Sequence, residues 1–311
     1  MTQPDRYLRG IVAILAASVI WGTTGTAASL APAVSPLAIG AFAMGGGGLL
    51  LVLSALGELL QSRALLRRHW RSLLVGGLSV AVYPLAFYSA MRLSGVAVGT
   101  VVSIASAPLF TVVLERLISG KRISRRWGIS FVLGALGIAL LALGRSPAGA
   151  NTASSTQMYL GVALGLLAGL SYALYSWVAR HLIEQGVDSK AAMASMFGLA
   201  AMLLLPSLVF TGHNLFASLT HTGVALYMAL IPMFVGYLCF GYGLRYIAAS
   251  TATLITLLEP VVAVVLAVVI VGEWLSPLGW VGIPLILLSL LLMTLRLPGS
   301  SAKTDQLPLE L

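Results

Sequence analysis

Near the middle of the apolar stretch TATLITLLEPVVAVVLAVVIVGEW, which runs from Thr251 to Trp274, one carboxylate, Glu259, interrupts the run, and a proline follows it directly. Between Ser250 and Gly272 there is no Lys, Arg or His to pair with it. A group in that setting can carry a proton or hold a substrate amine. It can also hydrogen-bond a neighbouring helix, or the backbone that Pro260 leaves unpaired. The residues that could act with it are aromatic and hydroxylic. Trp21, Tyr83, Tyr88, Tyr172, Tyr175, Trp177, Tyr237 and Tyr242 offer rings that stack on a ligand and polar edges that hydrogen-bond it. Taken singly, each such ring is more often a packing or interfacial residue than a ligand contact. Ser103, Ser106, Thr253 and Thr256 lie close to Pro108 and Pro260 and offer hydroxyls, which in helices commonly bond their own backbone. The chemistry on offer is recognition and proton handling, not bond breaking. The three aspartates (Asp5, Asp188, Asp305) lie outside the apolar runs, the four histidines sit near segment ends, and Cys239 is the single cysteine. No metal set, catalytic pair or cofactor motif can be assembled from them.

Composition decides what surrounds these residues. Of 311 residues, 59% are hydrophobic and only 9% charged, with a mean hydropathy of +1.00. Soluble chains carry about 25% charged residues, so the solvent implied here is a bilayer. Ten windows reach the ~20 apolar residues that a spanning helix needs: 10–30, 36–57, 71–92, 96–118, 125–144, 157–180, 190–211, 220–243, 250–271 and 277–297. The expected fold is an all-α membrane protein with ten transmembrane helices. The net charge of +9 could suggest nucleic acid in a soluble protein, but here the basic residues sit in short loops. Placing the N-terminus inside puts sixteen Lys and Arg on the inner side and two, Arg92 and Arg145, on the outer side. The expectation is therefore cytoplasmic termini, with the lipid bilayer and a small molecule as partners and no nucleic acid. Glu259 lies nine residues into its window, about 14 Å along the helix, near the midplane. A charge facing lipid there costs ~2.5–3.5 kcal/mol or more, so Glu259 should face the interior of the bundle.

The two halves of the chain resemble each other. GIVAILAASVIWG from Gly10 aligns with GVALGLLAGLSYA from Gly161, which sets Trp21 opposite Tyr172. FYSAMR at 87–92 aligns with FGYGLR at 240–245. PLFTVVLERLISGKRIS from Pro108 aligns with PVVAVVLAVVIVGEWLS from Pro260, so Gly120 meets Gly272 and Ser124 meets Ser276. Five helices per half is an odd number, which inverts the second copy in the membrane. The loops agree, because GKRISRR after the fourth window is basic whereas GEWLSPLG after the ninth has no Lys or Arg. The division is a first repeat over 1–145, a polar linker over 146–156, a second repeat over 157–297 and a disordered tail over 298–311. The repeat also marks the first window as a retained helix and not a signal peptide. No organelle or lipidation signal is evident, which leaves a bacterial inner membrane as the expected location. Inverted repeats with interrupted helices at matching places are the plan of many secondary transporters, with Pro108 and Pro260 as the expected hinges.

At these residues the chain resembles the drug/metabolite transporter superfamily, in its ten-helix EamA-type exporter branch. The resemblance rests on IWGTT at 20–24, YALYSWVAR at 172–180, LEPVVAVV at 258–265 and VGEWLS at 271–276, and it covers residues 8–297. Within that branch the chain looks most like the exporters of aromatic amino acids. The resemblance implies export of amino acids and related small metabolites from a cavity between helices 1, 3, 4 and 6, 8, 9. The inverted repeat points to alternating access, and with no sign of ATP use the expected energy source is the substrate or the proton gradient. One departure is Lys121, where the family often has a glutamate matching Glu273. A nucleotide-sugar or drug carrier on the same scaffold is the alternative, and the lack of mid-span Lys or Arg speaks against phosphorylated substrates. An intramembrane enzyme lacks its catalytic pair in the spans, and a channel lacks a repeated filter motif.

Overall fold

The computed structural model describes residues 3–144 and 155–295. The expected disordered tail and most of the expected linker lie outside these residues. Ten helical segments are long and apolar enough to cross a membrane: Asp5–Ser29, Pro36–Ser54, Trp70–Ser94, Val98–Leu117, Arg125–Leu143, Ser155–Glu184, Ser189–Thr211, Leu219–Gly243, Ala249–Val271 and Pro277–Thr294. They are the ten windows read from the sequence, with ends shifted by a few residues. Among the described residues no strand is present.

Three spans are interrupted. The first divides into α1 (Gln3–Gly22) and α2 (Thr24–Ser29), and the second and third are α3 (Pro36–Ser54) and α5 (Trp70–Ser94), with α4 (Leu56–Arg68) between them. Fourth to seventh are α6 (Val96–Leu117), α7 (Arg125–Leu143), α8 (Ser155–Glu184) and α9 (Ser189–Thr211). The eighth comprises α10 (Leu219–Met228), a π-helical turn (Ala229–Val235) and α11 (Gly236–Gly243). In the ninth, α12 (Ala249–Ile255) and α13 (Leu258–Leu266) are followed by a second π turn (Ala267–Val271), and the tenth is α14 (Pro277–Thr294). Helix α4 is additional to the ten windows. Its sequence LGELLQSRALLRR is too polar to span, and its Glu58 pairs with Lys190 at the start of α9, 3.4 Å away.

Helix pairing follows the repeat. The third span packs on the sixth as the first packs on the eighth, and the fourth packs on the sixth as the first packs on the ninth. The second pairs with the seventh and the fifth with the tenth. Exchanging the halves maps these pairs onto one another. Close approach depends on missing side chains, as membrane interfaces do. A Cβ on Gly48 would sit 2.5 Å from the Phe197 carbonyl oxygen, so the GGGG run of α3 lets α9 come into backbone contact. The aligned pairs also share local roles. Gly120 and Gly272 both take left-handed φ (65° and 79°) past the ends of the fourth and ninth spans, where glycine carries no Cβ penalty. Ser124 and Ser276 are both N-caps, of α7 and α14.

We refer to the face carrying the start of α1 and the end of α14 as proximal, and to the opposite face as distal.

Candidate functional site

Glu259 reaches the middle of the bundle through a local rearrangement of the ninth span. In a regular helix the Thr256 carbonyl would accept from the N–H of residue 260, but proline has none. It accepts instead from the Glu259 N–H at 3.0 Å, and Leu257 N–H bonds the Leu254 carbonyl at 3.2 Å. These are three-residue steps, with ψ near −5° and −8° at Thr256 and Leu257; the helix tightens there and restarts as α13. The backbone oxygen orphaned by Pro260 is thereby satisfied by main chain. The Glu259 carboxylate is not engaged for that purpose, and among the described residues it makes no hydrogen bond or ion pair. Pro108, the aligned proline, lies inside an uninterrupted α6. The two expected hinges are thus unlike each other in this structure.

The carboxylate enters a cavity lined by six spans. Trp21 and Thr24 come from the first, where Thr23 bonds the Ile20 carbonyl with its hydroxyl (2.6 Å) as the helix breaks. Gly40, Ala43 and Met44 come from α3, and Tyr83, Pro84, Phe87 and Tyr88 from α5. Tyr172 and Tyr175 project from α8, and Met228, Met233 and Tyr237 from the eighth span. In that span the π turn contains Pro232, whose carbonyl accepts from the Trp21 indole N–H at 2.8 Å. The side-chain ends of the tyrosines are arranged by pairing. Tyr172 donates to Thr256 Oγ1 at 2.9 Å and Tyr175 shares a hydrogen with Tyr237 at 2.9 Å. The rings of Trp21 and Tyr237 lie 4.8 Å apart, those of Tyr237 and Phe197 4.2 Å, and those of Trp21 and Phe240 5.4 Å. Together they form an aromatic floor on the proximal side. Among the lining residues there is no Lys, Arg or His, and Glu259 is their one carboxyl group. The cavity measures about 70 Å³, room for a few water-sized groups.

Of the residues singled out from the sequence, Trp21, Tyr83, Tyr88, Tyr172, Tyr175, Tyr237 and Glu259 are brought together at this cavity. Thr256 stands one layer behind, holding Tyr172. Five others lie elsewhere, among them Ser106, which faces Gly169 of α8, and Thr253, whose hydroxyl bonds the Ala249 carbonyl of its own helix at 3.0 Å. Ser103 is buried in the contact between α6 and α8, with its hydroxyl facing Gly165. Trp177 is at the proximal end of α8, donating to Ser119 at 3.1 Å and stacked on His181. Tyr242 stands beside Tyr246 and the Arg245 guanidinium. The reason is helical period. Tyr172 and Tyr175 share a face at a spacing of three, whereas Trp177 is turned away from both. The fourth helix contributes no lining residue, and the second takes its place. Gly40, Ala43 and Met44 carry no polar signal in the sequence, and nothing short of the packing identifies them.

Below the floor, the proximal face is closed by polar contacts between elements. Glu115 of α6 is buried and accepts from the Ser250 hydroxyl and, at 3.4 Å, from the Ser250 N–H at the start of α12. The Trp127 indole donates to the Ser250 carbonyl at 3.2 Å. Arg180 donates to the Leu244 carbonyl at 2.5 Å and to Glu184 at 2.8 Å, and Lys121 reaches the same Glu184 oxygen at 2.9 Å. Lys121, the departure noted in the sequence, is therefore a partner in this closure.

Comparison with known proteins agrees with this architecture. The chain matches the EamA-like transporter family twice, over residues 8–143 and 159–295. It is 35% identical to an uncharacterized transporter of Bacillus subtilis, YwfM, with 90% of this chain and 92% of the relative covered. A protein of Streptantibioticus cattleyicolor described as a "probable terminal-alkyne amino-acid exporter" is 26% identical, over 63% of each chain. A solved crystal structure superposes with a TM-score of 0.76 at 18% identity, covering 94% of this chain and 96% of that one. At that identity the likeness is one of fold.

Proposed function

Because the chain belongs to the EamA-like transporter family, we propose that it is a secondary transporter exporting small amine-bearing metabolites, neutral and aromatic amino acids among them, across the bacterial inner membrane by alternating access. The observation that carries this reading is a cavity at mid-span, walled by tyrosines and Trp21 and containing one unpaired carboxylate at a helix break. Glu259 takes the amine of the substrate or a coupling proton, and the rings pack on its apolar part. The similarity to the Streptantibioticus protein supports amino acids as a substrate class. The cavity lies at the middle and distal side of the bundle, above the aromatic floor and the proximal contacts. We read it as the state in which the cytoplasmic gate is shut, with the proximal face cytoplasmic. A nucleotide-sugar carrier is disfavoured by the lack of a lining cation for phosphate.

The test is counterflow in proteoliposomes with a panel of labelled amino acids and amines, at two values of the pH gradient. Uptake of one or more of them is the expected result, and no uptake of any overturns the reading.

A further inference from the structure

We infer that this site recognises its substrate as a cation, and that it favours arylalkyl amines without a carboxylate over the corresponding zwitterionic amino acids. The inference rests on the transport reading above and names the substrate class of the same cavity.

A zwitterion brings two charges between largely aromatic and apolar walls, and each needs a partner. The ammonium has one. Glu259 is unpaired among the described residues, and the rings of Tyr83, Tyr88 and Trp21 line the same cavity, as cation binding by carboxylate and π faces requires. The carboxylate of an amino acid has none, because no Lys, Arg or His lines the cavity.

Interrupted transporter helices commonly meet this need by aiming the N-terminus of a half-helix at the substrate anion. Two half-helices begin beside the cavity: α2, which is only six residues long and too short to build up an appreciable dipole, and α13, whose first turn is unsuited in two ways. It carries Glu259 itself, which repels a second negative charge, and its third residue is Pro260, which has no N–H to offer. The Glu259 N–H is already used by the Thr256 carbonyl. The remaining lining donors are the Trp21 indole, held by the Pro232 carbonyl, the Thr24 hydroxyl, held by the Trp21 carbonyl, and the phenol hydroxyls. Tyr172 and Tyr175 are committed to Thr256 and Tyr237, and those of Tyr83 and Tyr88 are neutral and share the cavity with Glu259. The rest of the wall is Phe87, Met44, Met228 and Met233, which suits the aryl or alkyl body of an amine.

The experiment compares labelled phenethylamine with labelled phenylalanine in counterflow by the full-length protein in liposomes, at equal concentration and without a pH gradient. Phenethylamine exchange at least tenfold faster is expected. Equal or faster exchange of phenylalanine overturns the inference while leaving the transport reading intact. Absence of exchange for both, and for every other amine and amino acid of the panel, overturns the transport reading itself. Two variants make the result specific. Glu259→Gln should lose phenethylamine exchange at least tenfold. Thr24→Lys, which sets a cation in the cavity wall, should shift the preference toward phenylalanine, and an unchanged ratio there counts against the inference. If Glu259→Gln does not reach the membrane intact, thermal stabilisation of the purified wild-type protein decides the matter. Stabilisation by phenethylammonium and not by phenylalanine supports the inference, and the reverse overturns it.

Discussion

At the scale of single residues, the structure separates what Glu259 does from what Pro260 does. The proline reorganises the backbone, and the neighbouring amide meets the resulting need, so the carboxylate is left for a ligand or a proton. In the proteoliposome system, Glu259→Gln is expected to abolish flux driven by a pH gradient. Full pH-driven flux in that variant would remove the coupling role. Trp21 is a second residue with two duties, since its ring faces the cavity and its N–H holds the Pro232 carbonyl. Replacement by Phe keeps an aromatic ring, though a smaller one, and leaves that buried oxygen without its donor. The expected cost is about 1–3 kcal/mol, seen as a lower melting temperature in detergent. Tyr242→Phe, by contrast, alters a residue remote from the cavity and should leave transport rates within about twofold, as surface changes usually leave stability nearly unaltered.

Among the elements, the asymmetry between the fourth and ninth spans is the feature most open to experiment. Both contain an aligned proline, yet α6 is continuous and the ninth span is broken. If the break serves gating, Pro260→Ala, which restores a helical donor, should slow exchange more than Pro108→Ala does. Equal effects in the two variants would assign both prolines to packing. The proximal contacts make a related prediction. Ser250→Ala removes a hydrogen bond to buried Glu115, and bonds to charged groups are worth about 1.5–3 kcal/mol. The proximal gate should open at least roughly tenfold more often. A cysteine at Ile247, which is buried in the wild type, would report this as faster thiol labelling in a Cys239→Ser background. Lys121 and Arg180 share Glu184 but differ in burial, at 31% and 8% exposure. Lys121→Ala should therefore cost under about 1 kcal/mol. Arg180→Ala should cost several, because it also strips the Leu244 carbonyl of its donor.

For the whole molecule, the charge distribution predicts one orientation. Reporter fusions that fluoresce only in the cytoplasm should be active when joined within residues 63–68 and inactive within 146–154. The reverse pattern would turn the protein over and convert the proposed exporter geometry into its mirror. The same view accounts for the balance between what was legible in the chain and what was not. Spans are set by length and hydropathy, which are local quantities, and all ten could be read within a few residues of their observed ends. The equivalences of Gly120 with Gly272 and of Ser124 with Ser276 were also legible, because a left-handed glycine and an N-cap are demands of the local backbone. Trp177 shows the limit. It lies in the same motif as Tyr172 and Tyr175, and composition cannot tell which face of α8 meets the cavity and which meets the proximal loop.

What the sequence determined by itself is therefore the membrane fold, the repeat and a mid-span carboxylate beside a helix breaker, since each follows from residue type and spacing along one chain. What only the tertiary structure decided is which residues converge. The second helix replaces the fourth in the wall, Gly40, Ala43 and Met44 join it without any polar signature, and buried Glu115 closes the far face on Ser250. Those outcomes depend on the rotation of each helix about its axis. That rotation is fixed by packing against helices distant in the chain, through small-residue contacts such as Gly48 on Phe197, and no local property of the sequence records it.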